Sequence, residues 1–346
     1  MKKILGKLLH SHLTRPFVSS PAGSSINVTD FTPGYFHSFG TNNSDKMFYV
    51  IWLANGGSGF FSNFANVLCH LYIAESLNMI PVIDFRQFKT IYNVADEVNG
   101  TSNAWEYYFK PVSNFTPEEV YTSKNVFFCS GHYPPQFSYN LSELTQLFPL
   151  YNSLVQFSPA LTERINRYKD KFRGRVLGIH FRGQEMKIAA AHPLPPTEKQ
   201  MLAYTAEIIS KNHIDKLFLV TEHEPYLDLF KKHYGDKLIY TDSFRTRGEN
   251  AYNQDPRKHH RYLLGLEVLT DTLLLADCTG LLCGNSNVSE FAKFAGTGKL
   301  EFVYNIFNGM NSSNRLLARY LYRIRKHTIG FKTDITIDHP ILQKSV

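Results

Sequence analysis

Four titratable side chains, His180, Arg182, Glu185 and Lys187, fall within eight residues directly after an apolar run at 176–181. A strand normally ends in turn residues rather than in charge. Arg182 offers a planar, permanently charged fork suited to a phosphate. His180 lies two residues before it, on the same side of an extended chain. Glu185 is the candidate base, with His192 second. A surface ion pair between Arg182 and Glu185 explains the same spacing equally well.

Three further stretches carry chemistry. Glu267 and Asp271 are four residues apart in an otherwise apolar helical stretch, 261–276, and so share one face. Carboxylates there need a buried partner, a purine amino edge or a cleft, and no third ligand at metal spacing accompanies them. Cys283-Gly284-Asn285-Ser286 ends another apolar run and is followed by Asn287, Val288 and Ser289. Backbone N–H groups at such a helix start hold anions, and simple N-capping by Ser286 is compatible with that. Glu222, in Val220-Thr221-Glu222, lies at a further strand end and alone reads as an ordinary helix start. Separately, Asn55-Gly56-Gly57-Ser58-Gly59 joins a strand to a helix. Its glycines admit close approach of an anion or sugar, or serve only a tight turn.

The elements that must position these residues follow from periodicity. Strands are expected at 47–53, 80–84 and 125–129, with a helix at 63–77 making a right-handed βαβ unit. The aromatics around Trp105 either stack on sugars or fill a satellite core. From 176 the chain alternates strand and helix: strands at 176–181, 216–220, 238–240, 281–283 and 300–304, helices between them. Such alternation means a parallel, doubly wound sheet, with its ligand site at the carboxyl ends of the strands. The expected organisation is an irregular arm at 1–45 with one short helix, an acceptor-side α/β domain at 46–172, a donor-binding α/β domain at 173–310, and a basic helix and tail at 311–346. The 314–326 helix is expected to pack back on the first domain, with peripheral contact to an anionic membrane as the other reading.

Composition bounds the partners. The chain has 346 residues, 43% hydrophobic and 19% charged, a globular balance with room for two domains. A net charge of +7 favours anionic partners or serves solubility alone. No basic arm or nucleic-acid motif is present, so nucleic acid is not expected as a partner. The four cysteines sit in apolar surroundings without a C-x-x-C pair and read as core residues in a reducing compartment. The start of the chain makes a poor signal peptide and no apolar run is long enough to span a bilayer, so a cytoplasmic location is expected, with membrane-peripheral contact as the variant.

With these residues assembled, the second half of the chain resembles the GDP-fucose-dependent fucosyltransferases of the α1,2/α1,6/protein-O type. The resemblance covers roughly 175–295 and rests on His180-Phe181-Arg182, on Val220-Thr221-Glu222 where the family has Thr-Asp, and on Gly265 through Asp271 to Asp277 followed by Cys283-Gly284-Asn285-Ser286. It implies a GT-B-like fold of two Rossmann-like domains facing across a cleft. It implies an inverting, metal-independent transfer of fucose from GDP-fucose, with no cofactor, to a glycan acceptor hydroxyl. Arg182 would bind the β-phosphate, His180 and Asp271 the guanine, and Ser286, Asn287, Val288 and Ser289 the diphosphate; Glu222, Asn55, Gly56 and Gly57 complete the donor set. The chain departs from the family in having Arg182-Gly183-Gln184-Glu185 where Arg-x-Thr-Asp is common. It also has Ala189, Ala190 and Ala191 where the α1,6 branch keeps a glutamate base. Another nucleotide sugar, or a binding protein without turnover, are the alternatives.

Overall fold

A computed structural model describes residues 34–182, 185–248 and 250–340. The expected arm at 1–33, with its short helix, lies outside the described residues. The chain divides into two compact units. The first holds residues up to Tyr139 together with 144–158; the second holds 140–143 and everything from Pro159 on. The helix expected to close the first domain thus belongs to the second, which moves the boundary from 172 to 158.

In the first unit the elements run β1 (Gly34–His37), β2 (Phe48–Ile51), α1 (Phe60–Ser76), β3 (Ile80–Ile83), a short α2 (Pro117–Val120), β4 (Val126–Cys129) and α3 (Phe148–Leu154). The sheet order is β1-β4-β2-β3. β2 pairs parallel with β3 and β4, as the βαβ reading expects, whereas β1 adds antiparallel to β4. β1 lies in what the sequence presents as an irregular arm. Four residues without a clear period acquire their place only by pairing with a strand some 90 residues away, Gly34 opposite Cys129. One sheet face packs Phe48, Val50, Val82, Val126 and Phe128 together. Tyr49 points the other way and bonds His70 of α1 at 2.8 Å. Trp105, Tyr108 and Phe109 are buried against Phe60 and Phe64, which makes them a satellite core rather than sugar-stacking rings.

The second unit runs α4 (Pro159–Lys169), β5 (Val176–His180), α5 (Glu198–Asn212), β6 (Lys216–Val220), α6 (Glu224–Tyr234), β7 (Leu238–Ile239), α7 (His260–Ala276), β8 (Gly280–Gly284), α8 (Asn287–Ala295), β9 (Phe302–Phe307), α9 (Arg315–Ile324) and β10 (Asp334–Asp338). The sheet order is β10-β9-β8-β5-β6-β7, parallel apart from β10. The chain builds outward from β5 through β6 to β7, then returns to the other side of β5 to lay down β8 and β9. The order therefore reverses between β5 and β8, and the carboxyl ends of those two strands border a crevice. Side-chain alternation sorts the layers. Leu177, Ile179 and Phe181 meet Met201, Ile208, Tyr226 and Phe230 of α5 and α6. Gly178 faces Leu275 and Cys278 at the end of α7, where a Cβ would come within 2.9 Å of Leu275.

The C-terminal helix α9 belongs to the second unit, where it packs on the turn at Glu185–Lys187. Its only fully buried residues are Ala318 and Tyr322. The tail beyond it is not structureless: β10 pairs antiparallel with β9, Ile335 opposite Ile306. The four cysteines are all buried and free. Among the described residues no helix is long and apolar enough to cross a membrane.

Candidate functional site

Adjacent parallel strands set the register of the site: His180 at the end of β5 stands opposite Cys283 of β8. Gly284 closes β8, and it must be glycine because an added Cβ would meet Pro196 Cδ at 2.8 Å. The chain then turns through Asn285 to Ser286. Ser286 caps α8 by accepting from Ser289 N–H at 3.2 Å.

Ser289, in the first turn of α8, is fully buried and works inward. Its Oγ donates to Gly284 O at 2.8 Å and lies 2.8 Å from His180 Nδ1, with Ser286 Oγ 3.4 Å from the same nitrogen. A hydroxyl has one proton. With that proton on Gly284, His180 must donate from Nδ1, which leaves Nε2 as the acceptor. Burial pushes the His180 pKa down to about 3, and the Arg182 charge adds to it. His180 is therefore a neutral imidazole at physiological pH, suited to orienting a ligand rather than to shuttling protons. Val288 is buried beside Ser289, whereas Asn287 is exposed.

Phe181 extends the β5 ladder by donating to Val220 O at 2.9 Å, and its ring stacks on Tyr226 at 3.8 Å. Arg182 follows, half-buried, then the single turn Glu185–Lys187. Glu185 is raised above the ordinary glutamate range by burial; the Arg182 charge opposes that shift and Glu222 adds to it. The structure thus brings Arg182 and Glu222 within electrostatic reach of Glu185. The neighbouring Lys187 amine sits over two rings, 5.3 Å from Tyr226 and 5.4 Å from Tyr322, and burial lowers its pKa. The segment after it is tied to the chain before α9: Asn311 Nδ2 donates to Ala189 O at 3.0 Å, and Ala191 N–H to Ser312 O at 3.0 Å. His192 O accepts from Asn311 N–H at 2.8 Å.

The two α7 acids have partners within the protein. Glu267 takes a bidentate pair from Arg257 at 2.6 and 2.7 Å, and Phe244 N–H at 3.2 Å. Asp271 accepts from Thr241 Oγ1 at 2.6 Å. Burial raises its pKa to about 6 against the opposing effects of Thr241, Arg245 and Ser243. Asp271 is thereby bonded to the loop after β7, while His180 is bonded to the start of α8. Among the described residues no group of three or more His, Cys, Asp or Glu side chains could hold a metal ion.

The glycine loop belongs to the first unit. Gly56 is needed structurally: a Cβ would stand 2.3 Å from Lys89 O, and its own carbonyl accepts from Ile91 N–H at 3.0 Å. Gly57 has room, with Asn55 Oδ1 at 3.4 Å as the nearest neighbour of an added Cβ. Asn55 O receives Ser58 N–H at 3.4 Å.

Sequence reasoning did not foresee the Lys187–Tyr226–Tyr322 arrangement or the role of Thr241, Ser243 and Arg245 around Asp271. These groups come from distant segments, and no spacing rule joins them.

No protein-family model matches the sequence, and no curated protein matches it. Solved structures do. The α-1,6-fucosyltransferase NodZ soaked with GDP-fucose superposes with a TM-score of 0.51 at 14% identity, over 85% of this chain and 99% of NodZ. The selenomethionine form of NodZ from Bradyrhizobium gives 0.50 at 14% identity over the same shares. POFUT1 in complex with GDP aligns at 0.46 and 11% identity, over 73% of this chain and 95% of its own. At such identities the likeness is one of fold: nearly the whole of NodZ finds its counterpart in this chain.

Proposed function

We propose that the protein is an inverting, metal-independent glycosyltransferase that moves fucose from GDP-fucose to a glycan hydroxyl. The observation that carries this reading is the meeting of His180 and the α8 start at the β5/β8 reversal, with Arg182 two residues beyond. That is where an open α/β sheet binds ligands, and it joins a cation to a helix start able to receive an anion. The fold shared with NodZ and the His180-Phe181-Arg182 resemblance supply the donor class.

In this reading Arg182 and the N–H groups of Asn287, Val288 and Ser289 stabilise charge growing on the departing diphosphate. Neutral His180 accepts from the donor through Nε2, and Glu222, Asp271 and the Asn55-Gly56-Gly57 turn belong to the donor set of a GT-B arrangement. Glu185 removes the acceptor proton as the oxygen attacks the anomeric carbon and the GDP bond breaks. Burial raises its pKa, which makes it a stronger base than an ordinary glutamate. Transfer from a panel of nucleotide sugars to glycan acceptors tests the reading. GDP-fucose should be the donor consumed, and Arg182→Ala should abolish turnover; near-normal turnover in that variant removes the central claim.

Ala189, Ala190 and Ala191 favour a second reading, a nucleotide-sugar-binding protein that retains the fold without a base. Saturable GDP-fucose binding with neither transfer nor hydrolysis would select it.

A further inference from the structure

The outer face of α9 is the wrong way round for a helix of a globular protein. Such helices turn their apolar stripe to the core. Here the residues turned inward are Ala318 and Tyr322, while Leu316, Leu317 and Tyr320 are 68%, 62% and 61% exposed. Ile324 continues the stripe two turns on from Leu317 and is also exposed. At 100° per residue these four side chains occupy one sector of the helix.

Arg315, Arg319 and Arg323 are exposed and succeed one another at i, i+4 and i+8 along one border of that sector. Like charges at this spacing destabilise a helix, and there is no acidic residue between Glu301 and Asp334 to relieve them. The helix is held in this orientation from inside. Asn314 caps it through Leu316 N–H at 2.9 Å, Asn311 Nδ2 donates to Ala318 O at 3.1 Å, and Lys187 lies over Tyr322.

An apolar face edged by arginines, with no acid of its own, is complementary to one kind of partner: a surface that is negatively charged outside and apolar beneath. We propose that α9 docks the protein in the plane of an anionic lipid surface, with Leu316, Leu317, Tyr320 and Ile324 entering the acyl boundary and the three arginines meeting the headgroups. Because the inner face packs on the Glu185–Lys187 turn, docking sets that turn beside the lipid. If the transferase reading stands, its acceptor is then delivered at a membrane; the docking itself is independent of that reading and is measured without turnover.

The test is co-sedimentation of the full chain with vesicles of phosphatidylcholine, alone or with about 30 mol % phosphatidylglycerol. Binding is expected to the anionic vesicles only, weakening with salt. Arg315→Gln/Arg319→Gln/Arg323→Gln should lower it about 100-fold, at roughly fivefold for each cation removed from the surface. Leu316→Ser/Leu317→Ser/Ile324→Ser should lower it at least about tenfold while leaving the salt dependence in place. These are exposed positions, and an unchanged circular dichroism spectrum would verify the fold of each variant. Failure to bind anionic vesicles, or undiminished binding in both variants, overturns the proposal. So does a dimer in solution that the serine variant dissociates, which would give the face to a second copy of the chain.

Discussion

Asp271→Asn should stabilise the protein at neutral pH and lose that effect in acid. Asp271 is buried in α7 with its carboxyl on Thr241 Oγ1, and its pKa rises from the ordinary 3.8 to about 6. A carboxyl raised on folding binds more protons in the native than in the unfolded state between those values, so stability falls as pH rises through that window and stays lowered above it. A rise of that size costs about 3 kcal/mol of stability at neutrality. Asparagine removes the charge and keeps an oxygen for Thr241, but loses the acceptor used by Ser243, which returns about 1 kcal/mol. The net expectation is roughly 2 kcal/mol of stabilisation at about pH 7.5, and none, or a deficit of about 1 kcal/mol, near pH 3.5. Urea unfolding of both proteins across this range, followed by far-UV circular dichroism, reads it. Tryptophan fluorescence would not serve, because Trp52 and Trp105 both lie in the first unit. Comparing variant with parent cancels other titrations, including His180, which burial keeps neutral. A difference in stability that does not change with pH would refute the reasoning.

Two other outcomes follow from the same geometry. Glu185→Gln should reduce kcat and flatten the acid limb of the rate profile, a limb that in the parent lies above the ordinary glutamate value of 4.5 because burial raises this carboxyl; a limb that persists in the variant assigns it to another group. Arg257→Ala should destabilise the second unit by about 3 kcal/mol, since it strips a bidentate partner from Glu267, whose side chain is 6% exposed; the double variant Arg257→Met/Glu267→Leu should recover most of that loss in urea unfolding.

The sheet of the second unit is legible in sequence because its strands are buried runs and its helices are capped where they should be. Thr197 and Gln200 form a capping box at α5, and Ser286 caps α8. Once the strand order is known, the meeting of His180 with Ser289 follows from parallel register. What the sequence hides is pairing at a distance. β1 is four residues with no strong pattern of its own, and only antiparallel pairing with β4 defines it. The Ile335 and Ile337 alternation of β10 is a real signal, but it is short and lies beyond a helix that looks terminal. The direction in which α9 packs is likewise unreadable from its own residues. Its apolar stripe predicts a buried face, and the structure buries the opposite side through Tyr322 and Lys187. The acids of α7 show the limit for sites. Spacing places Glu267 and Asp271 on one face, but only the fold reveals that Arg257 and Thr241 satisfy them.

β10 has a consequence for the behaviour of the chain outside its native state. β9, with Phe302, Val303, Tyr304, Ile306 and Phe307, is strongly β-forming and nearly free of charge. Without β10 it would present an open ladder to any other chain, the condition for edge-to-edge aggregation. β10 takes that edge and replaces it with one bounded by Asp334 and Asp338, with Thr336 between them. The last strand thus acts as a gatekeeper: a chain clipped by a protease ahead of Asp334 would retain its central sheet but expose an adhesive edge.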